Sequence, residues 1–273
     1  MANQISIETS GAVLIARIGN PPSGYMDGET ETELAALLDR VESDDAVRAV
    51  VLSGSLPDVF IRHYDVGALE KTSRAMAERG MTFSLDRLVP ETLYLTCLRR
   101  IEEMSKPFVA AINGTAMGGG FELTLACDIR LARQGDFSLG LPEINVGLLP
   151  GAGGTQRLAR LIGEARALEM IMLGRTVSPT EALELGIVSA CIDGDVVAAA
   201  LTYARELAAK PPKALGHIKQ LIRGSTGRSL ADGLADERTL FCDLMVNPQT
   251  IDLMTEMNSG LRGIQDREPG EEQ

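Results

Sequence analysis

The chain is poor in the groups that build metal centres and in the patterns that mark membrane or nucleic-acid proteins. Its only histidines are His63 and His217, and its four cysteines, Cys97, Cys127, Cys191 and Cys242, lie far apart without forming a CxxC. Zinc sites and disulfide frames need such groups at close spacing. His63 with Asp65 therefore makes too few ligands for a metal, and the cysteines read as reduced, buried, small apolar residues of a cytoplasmic protein. No Lys/Arg-rich block interrupts a chain of formal charge -12, so nucleic acid and anionic membrane surfaces find no electrostatic footprint. The most apolar early stretch, Gly11 to Ile18, is short and broken by Arg17; neither a signal peptide nor a membrane span is expected.

What is present is the make-up of a globular protein: 273 residues, 45% hydrophobic and 23% charged, enough for one large core and an appendage. QISIE and VLIARIG, joined around Thr9-Ser10-Gly11, alternate as a strand hairpin. Leu34, Leu37, Leu38 and Val41 recur at helical spacing, with Asp27, Glu29 and Glu31 near the start, where negative charge is favoured. VRAVVLS (47–53) and FVAAIN (108–113) suit buried strands, as does IVSACI (187–192). FELTLA follows as a helix and DIRLA as a further strand. This alternation predicts an α/β fold with ligands bound where strands give way to helices. Residues 1–195 are expected to form the α/β core, 196–265 a helical region concerned with oligomerisation, and 266–273 a polar, disordered tail. Residues 70–91 read ambiguously, helical in spacing but interrupted by Gly80 and Pro90.

One stretch, NGTAMGGGFELTLACD (113–128), sets three consecutive glycines before a Phe-Glu pair. Glycine loses more freedom on folding than any other residue, so a triplet must answer a need for bare backbone. Two readings fit the spacing: a tight turn allowing close packing of a helix, or an unobstructed helix start whose free N–H groups stabilise charge on a carbonyl oxygen. The spacing matches neither GxGxxG nor GxxxxGK[ST]. Glu122 falls in the first turn after the glycines, and Glu143 precedes a second glycine-rich helix entry at Gly151, Gly153 and Gly154. A glutamate in a first turn is often only a partner of the helix dipole. Two of them, each tied to a glycine-rich entry, are harder to read as helix-dipole partners alone.

Met117-Gly-Gly-Gly-Phe-Glu-Leu, CDIRLA and PEINVGLLPGAGGTQRLARLIG resemble the enoyl-CoA hydratase/isomerase (crotonase) superfamily, and the likeness extends more loosely over most of the chain. The resemblance implies a core of repeated ββα units with a C-terminal helical region, a homotrimer or homohexamer, and an acyl-CoA thioester as substrate, with no separate cofactor. It implies an oxyanion hole of two backbone N–H groups, one at Gly119 and one, by position matching, at Arg62. It also gives Glu122 the task of orienting and deprotonating a water, and Glu143 that of proton donor. Gly118, Gly120, His63, Tyr64 and Asp65 are expected to line the substrate and CoA site.

The chain departs from the family in two places. The usual F-x-A-G-x-D segment reads Phe60-Ile61-Arg62-His63-Tyr64-Asp65, bulkier and more polar, and GNPPSGYMD replaces a segment that helps to hold CoA. Retention of both glutamates favours a hydratase. An isomerase, another acyl-CoA lyase or hydrolase of the same fold, or a non-catalytic binding subunit remain open as alternatives.

Overall fold

The computed structural model describes residues 3–264; the expected tail at 266–273 lies outside them. The chain divides into two compact units, Met1–Ala208 and Ala209–Gln273.

In the first unit the order is β1 (Ile5–Ser10), β2 (Val13–Ile18), α1 (Gly28–Ser43), β3 (Ala49–Gly54), β4 (Val59–Ile61), α2 (Val66–Glu78), α3 (Leu93–Glu103), β5 (Phe108–Ile112), β6 (Thr115–Met117), α4 (Gly119–Ala126) and β7 (Ile129–Arg133). There follow β8 (Leu139–Gly140), a 3-10 turn at Glu143–Val146, α5 (Gly154–Ile162), α6 (Glu164–Met172), β9 (Thr176–Val177), α7 (Pro179–Glu184), β10 (Ala190–Ile192) and α8 (Val196–Ala209). The expected hairpin is β1 and β2, turned at Gly11 with a positive φ of 60° that glycine adopts freely. Asp27 caps α1 by accepting from the Thr30 N–H at 2.9 Å. The strand expected over 187–192 is shorter, because Ile187 and Val188 instead fold back to the Ala182 carbonyl. The ambiguous segment resolves into α2, with no regular element from 79 to 92 beyond an isolated bridge.

The strands form two sheets. The larger runs β1-β2-β3-β5-β7-β10, parallel apart from the hairpin. The smaller runs β4-β6-β8-β9, with β4, β6 and β8 parallel. β3, β5 and β7 each lead into a short strand of the second sheet, giving the repeated ββα pattern. Alternation along the large sheet sends Val50, Leu52, Ala110 and Ile112 into the main core with α1, α3 and α4. Their neighbours Val51, Val109 and Ala111 enter a second core closed by Val196, Ala200 and Ala204 of α8. The expected boundary at 195/196 stands at the beginning of α8, and the compact units divide at its end.

Helix α4 is buried at all eight positions. Its C-terminal carbonyls, which have no partner within the helix, are met by the buried Arg130: Nη1 donates to Cys127 O at 2.7 Å and to Thr124 O at 3.4 Å, while Nε ties the same guanidinium to Ile187 O at 2.8 Å. Cys97 and Cys127 are buried as expected; Cys191 is half-buried and Cys242 exposed, which corrects the uniform reading of the four.

The second unit contains α9 (Pro212–Gly224), a 3-10 turn at Ser225–Gly227, α10 (Leu230–Met245) and α11 (Pro248–Asn258). Ser229 and Asn247 cap the last two. His217 is packed beside Asp243, with Nε2 at 2.8 Å from its carboxylate, and Lys213 shares that carboxylate. Among the described residues of these helices none is fully buried. No helix among the described residues is long and apolar enough to cross a membrane.

Candidate active site

The three segments singled out in the sequence follow three adjacent parallel strands. Residues 62–65 leave β4, the glycine triplet leaves β6, and Glu143 comes shortly after β8. Parallel neighbours end on the same side, so the topology gathers the segments at one edge of the small sheet.

Each glycine of the triplet answers a different constraint. Gly118 has φ 50° and ψ −127°, a conformation open to glycine, and a Cβ there would stand 3.2 Å from Glu143 Oε1 and 3.6 Å from His63 Cβ. Gly120 is pressed against β4: a Cβ would lie 2.4 Å from Ile61 O and 2.6 Å from Ile61 Cβ. Gly119 has room, with Tyr94 and Tyr64 carbons at ordinary contact, 3.5 to 3.8 Å. As the first residue of α4 it carries an N–H without an intrahelical partner, and its carbonyl accepts a hydrogen bond from the Tyr94 hydroxyl.

The donor expected at Arg62 is corrected by the structure. The Arg62 N–H donates to Gly24 O at 2.8 Å, so it is already committed. Two residues on, Tyr64 forms a parallel bridge with Met26, in which Met26 N–H donates to His63 O at 2.9 Å and Asp65 N–H to Met26 O at 2.8 Å. In such a bridge the central residue's own N–H points away from its partner strand. Tyr64 also neighbours Gly119, so its N–H, rather than that of Arg62, is the candidate for a second donor. Position matching failed because N–H direction is set by pairing with the remote Met26, within the segment that departs from the family.

The two glutamates occupy different environments. Glu122 is 2% exposed, and its Oε1 accepts from the Ala152 and Gly154 N–H groups, both at 2.7 Å. Burial raises its pKa, against the opposing pull of those two N–H groups and of Arg157. Glu143 has a buried Oε2 with no hydrogen-bond partner. Its carboxyl is pushed up to about 7, chiefly by burial; its own N–H opposes this and the Glu122 charge adds to it. Mutual repulsion is thus the smaller contribution, and desolvation the larger.

The remaining expected residues take these places. Asp65 caps α2, its Oδ1 accepting from Gly67 N–H at 2.8 Å and Ala68 N–H at 3.2 Å. His63 stacks on Tyr25 with ring centroids 4.5 Å apart, and its Nδ1 donates to Tyr64 O at 2.7 Å. The Tyr64 hydroxyl donates to Glu31 at 2.8 Å. Burial raises the Glu31 pKa, the Tyr64 bond opposes this, and Asp27 adds to it. Sequence reasoning missed Glu31, Tyr94, Glu102 and Arg157. Tyr94 and Glu102 sit in a stretch without a motif, and Arg157, though inside the glycine-rich motif, resembles any surface arginine of a helix.

A buried Glu122 and a half-buried Glu143 beside a bare helix entry on a two-sheet ββα core define a crotonase-type architecture. The enoyl-CoA hydratase/isomerase family model matches residues 8–254, and the chain belongs to that family. It is 37% identical over 226 residues to a Bacillus subtilis protein named "Probable enoyl-CoA hydratase", covering 81% of this chain and 82% of that one. The 2,3-dehydroadipyl-CoA hydratase of Escherichia coli is 32% identical, covering 88% and 89%. Among solved structures, Pseudomonas aeruginosa DspI superposes with a TM-score of 0.84 at 32% identity, covering 95% of each chain.

Proposed function

We propose that this enzyme adds water across the double bond of an α,β-unsaturated acyl-CoA thioester. The observation that carries the reading is the unequal setting of the two glutamates, Glu122 held by two backbone N–H groups and Glu143 set against Gly118 with one oxygen unpartnered. Hydration needs one carboxylate to take a proton from water and one carboxyl group to give a proton to the α carbon, a division that works when two environments hold protons differently. Glu122, held by two N–H groups and close to Arg157, is suited to the base. Glu143, with a pKa of about 7 and an unpartnered oxygen, is suited to the donor. Enolate charge would develop on the thioester oxygen, and the Gly119 and Tyr64 N–H groups are the donors proposed to stabilise it.

His63, Gly118 and the exposed Arg62 guanidinium are proposed to line the substrate site, Arg62 toward a CoA phosphate or a polar acyl group. A homotrimer or homohexamer is proposed as the working form. Phe241 and Met245 of α10, and Met172 of α6, are exposed apolar side chains of the kind that assembly buries; light scattering that gave a monomer would refute it.

The test is the loss of enoyl-thioester absorbance with crotonyl, longer, branched and aryl enoyl-CoA esters, for the wild type, Glu122→Gln and Glu143→Gln. Each variant should lose about 10²-fold or more in kcat, the scale of a positioned acid or base. Double-bond migration without net hydration would establish an isomerase instead, and near wild-type turnover in either variant would remove that residue from the chemistry.

A further inference from the structure

The loop from Pro150 to Gly154 supplies both N–H groups that grip Glu122, so what holds this loop also holds the carboxylate. The Arg157 guanidinium lies under it. Nη1 donates to Ala152 O at 2.6 Å, while Nε and Nη2 donate to the two carboxylate oxygens of Glu102 on α3 at 2.8 and 2.7 Å. Gly153, between the two gripping residues, has φ 94°, and a Cβ there would come 2.3 Å from Arg157 Nη1. The guanidinium therefore occupies the space that any side chain at 153 would need. Ala152 has its carbonyl tied to Arg157 and its N–H tied to Glu122.

Resting on the assignment of Glu122 as base, we propose that Arg157, oriented by Glu102, is the positioning residue of this site: it fixes the loop that holds one oxygen of Glu122 and leaves the other for water. Neither side chain need touch substrate. A bidentate fork meeting a carboxylate on one side and a carbonyl on the other sets an orientation that a single ammonium cannot reproduce. The charge has its own consequence, because the charged and titratable groups coupled to Glu122 are Arg157 on α5, Tyr94 on α3 and Glu143 on the 3-10 turn, with Glu102 acting through Arg157. Arg157 is the cation among them, and it favours the ionised base.

Positioning and charge are separable. Arg157→Gln removes both: kcat should fall about 10- to 100-fold, the scale of a misplaced catalytic group. KM should stay within about threefold, and the acidic limb of the kcat/KM profile should move to higher pH as Glu122 becomes easier to protonate. Arg157→Lys keeps the charge without the fork, so kcat should fall with the limb unmoved. Glu102→Gln loosens the fork while removing a negative charge, so kcat should fall with no upward shift. Thermal melts monitored by circular dichroism establish that each variant is folded. Should Arg157→Gln not fold, Arg157→Lys and Glu102→Gln decide. Wild-type kcat in the folded variants, while Glu122→Gln is inactive, would overturn the positioning role and leave the function standing. An active Glu122→Gln would overturn the assignment of the base and this inference with it.

Discussion

Replacing Gly120 by alanine adds one methyl group where the structure has no room. The new Cβ would lie 2.4 Å from Ile61 O and 2.6 Å from Ile61 Cβ. The nearest of these atoms is backbone of β4, so rotating a side chain cannot relieve the clash and α4 must move away from the small sheet. Overpacking of this kind costs about 1–3 kcal/mol. At roughly 2–4 °C per kcal/mol for a unit of this size, Tm should drop by about 2 to 12 °C. The shift is directed at the helix start that carries the Gly119 N–H, so kcat should fall as well, by up to about 10²-fold. Gly119→Ala is the control. It adds the same methyl group one residue earlier, meets nothing closer than 3.5 Å, and should leave Tm within about 1 °C. Paired thermal melts and hydration assays decide. Equal melting temperatures for the two variants would refute the argument that the triplet divides its duties.

The pH dependence has a definite sign. Glu143 must be protonated to donate, so kcat/KM should decline as pH rises through about 7, and in Glu143→Gln the residual activity should lack that limb. In the stability of the fold, a carboxyl raised in the native state contributes fully below its unfolded pKa and loses that contribution as pH rises through about 7; Glu143→Gln should therefore gain Tm over the wild type from about pH 5 to pH 8, and a constant difference would refute the raised pKa. Arg62→Ala should spare kcat, since the guanidinium is exposed and the N–H bonded to Gly24, and should raise KM if the side chain holds CoA. Tyr64→Phe keeps the backbone N–H but leaves Glu31 without its hydroxyl donor, which should cost about 1–3 kcal/mol in denaturant unfolding. An unchanged unfolding midpoint would show that the Tyr64 hydroxyl is not needed by Glu31.

The parts of the fold with strong periodicity were legible in the sequence. The hairpin, α1, the apolar strands β3 and β5, and the helix after the glycines all follow from alternation, helical spacing or glycine placement. The small sheet was not, because β4, β6, β8 and β9 are two or three residues long and too short to show a period. Yet this sheet gathers the site. Glu122 and Glu143 were legible from their glycine-rich surroundings, and the uncommitted side of Gly119 from the same run. The proposed second donor was not, because its direction depends on pairing with Met26, nearly forty positions earlier in a segment without a recognisable pattern. Arg157 could be found only from the structure, since it acts on a carbonyl and a carboxylate brought to it by the tertiary fold.

Helix α4 is tethered at both ends: β4 backbone against Gly120, the Tyr94 hydroxyl on Gly119 O, and Arg130 on the carbonyl beyond its C-terminal end. A segment so enclosed has no cheap way of opening alone, because fraying either end would bury an unmet polar group or a void. The Gly119 region should therefore open only with the slowest cooperative unit of the molecule, and its amides should be among the last to exchange. Warming the enzyme should erode its loops and surface helices first, with the helix entry intact until the central sheets themselves come apart.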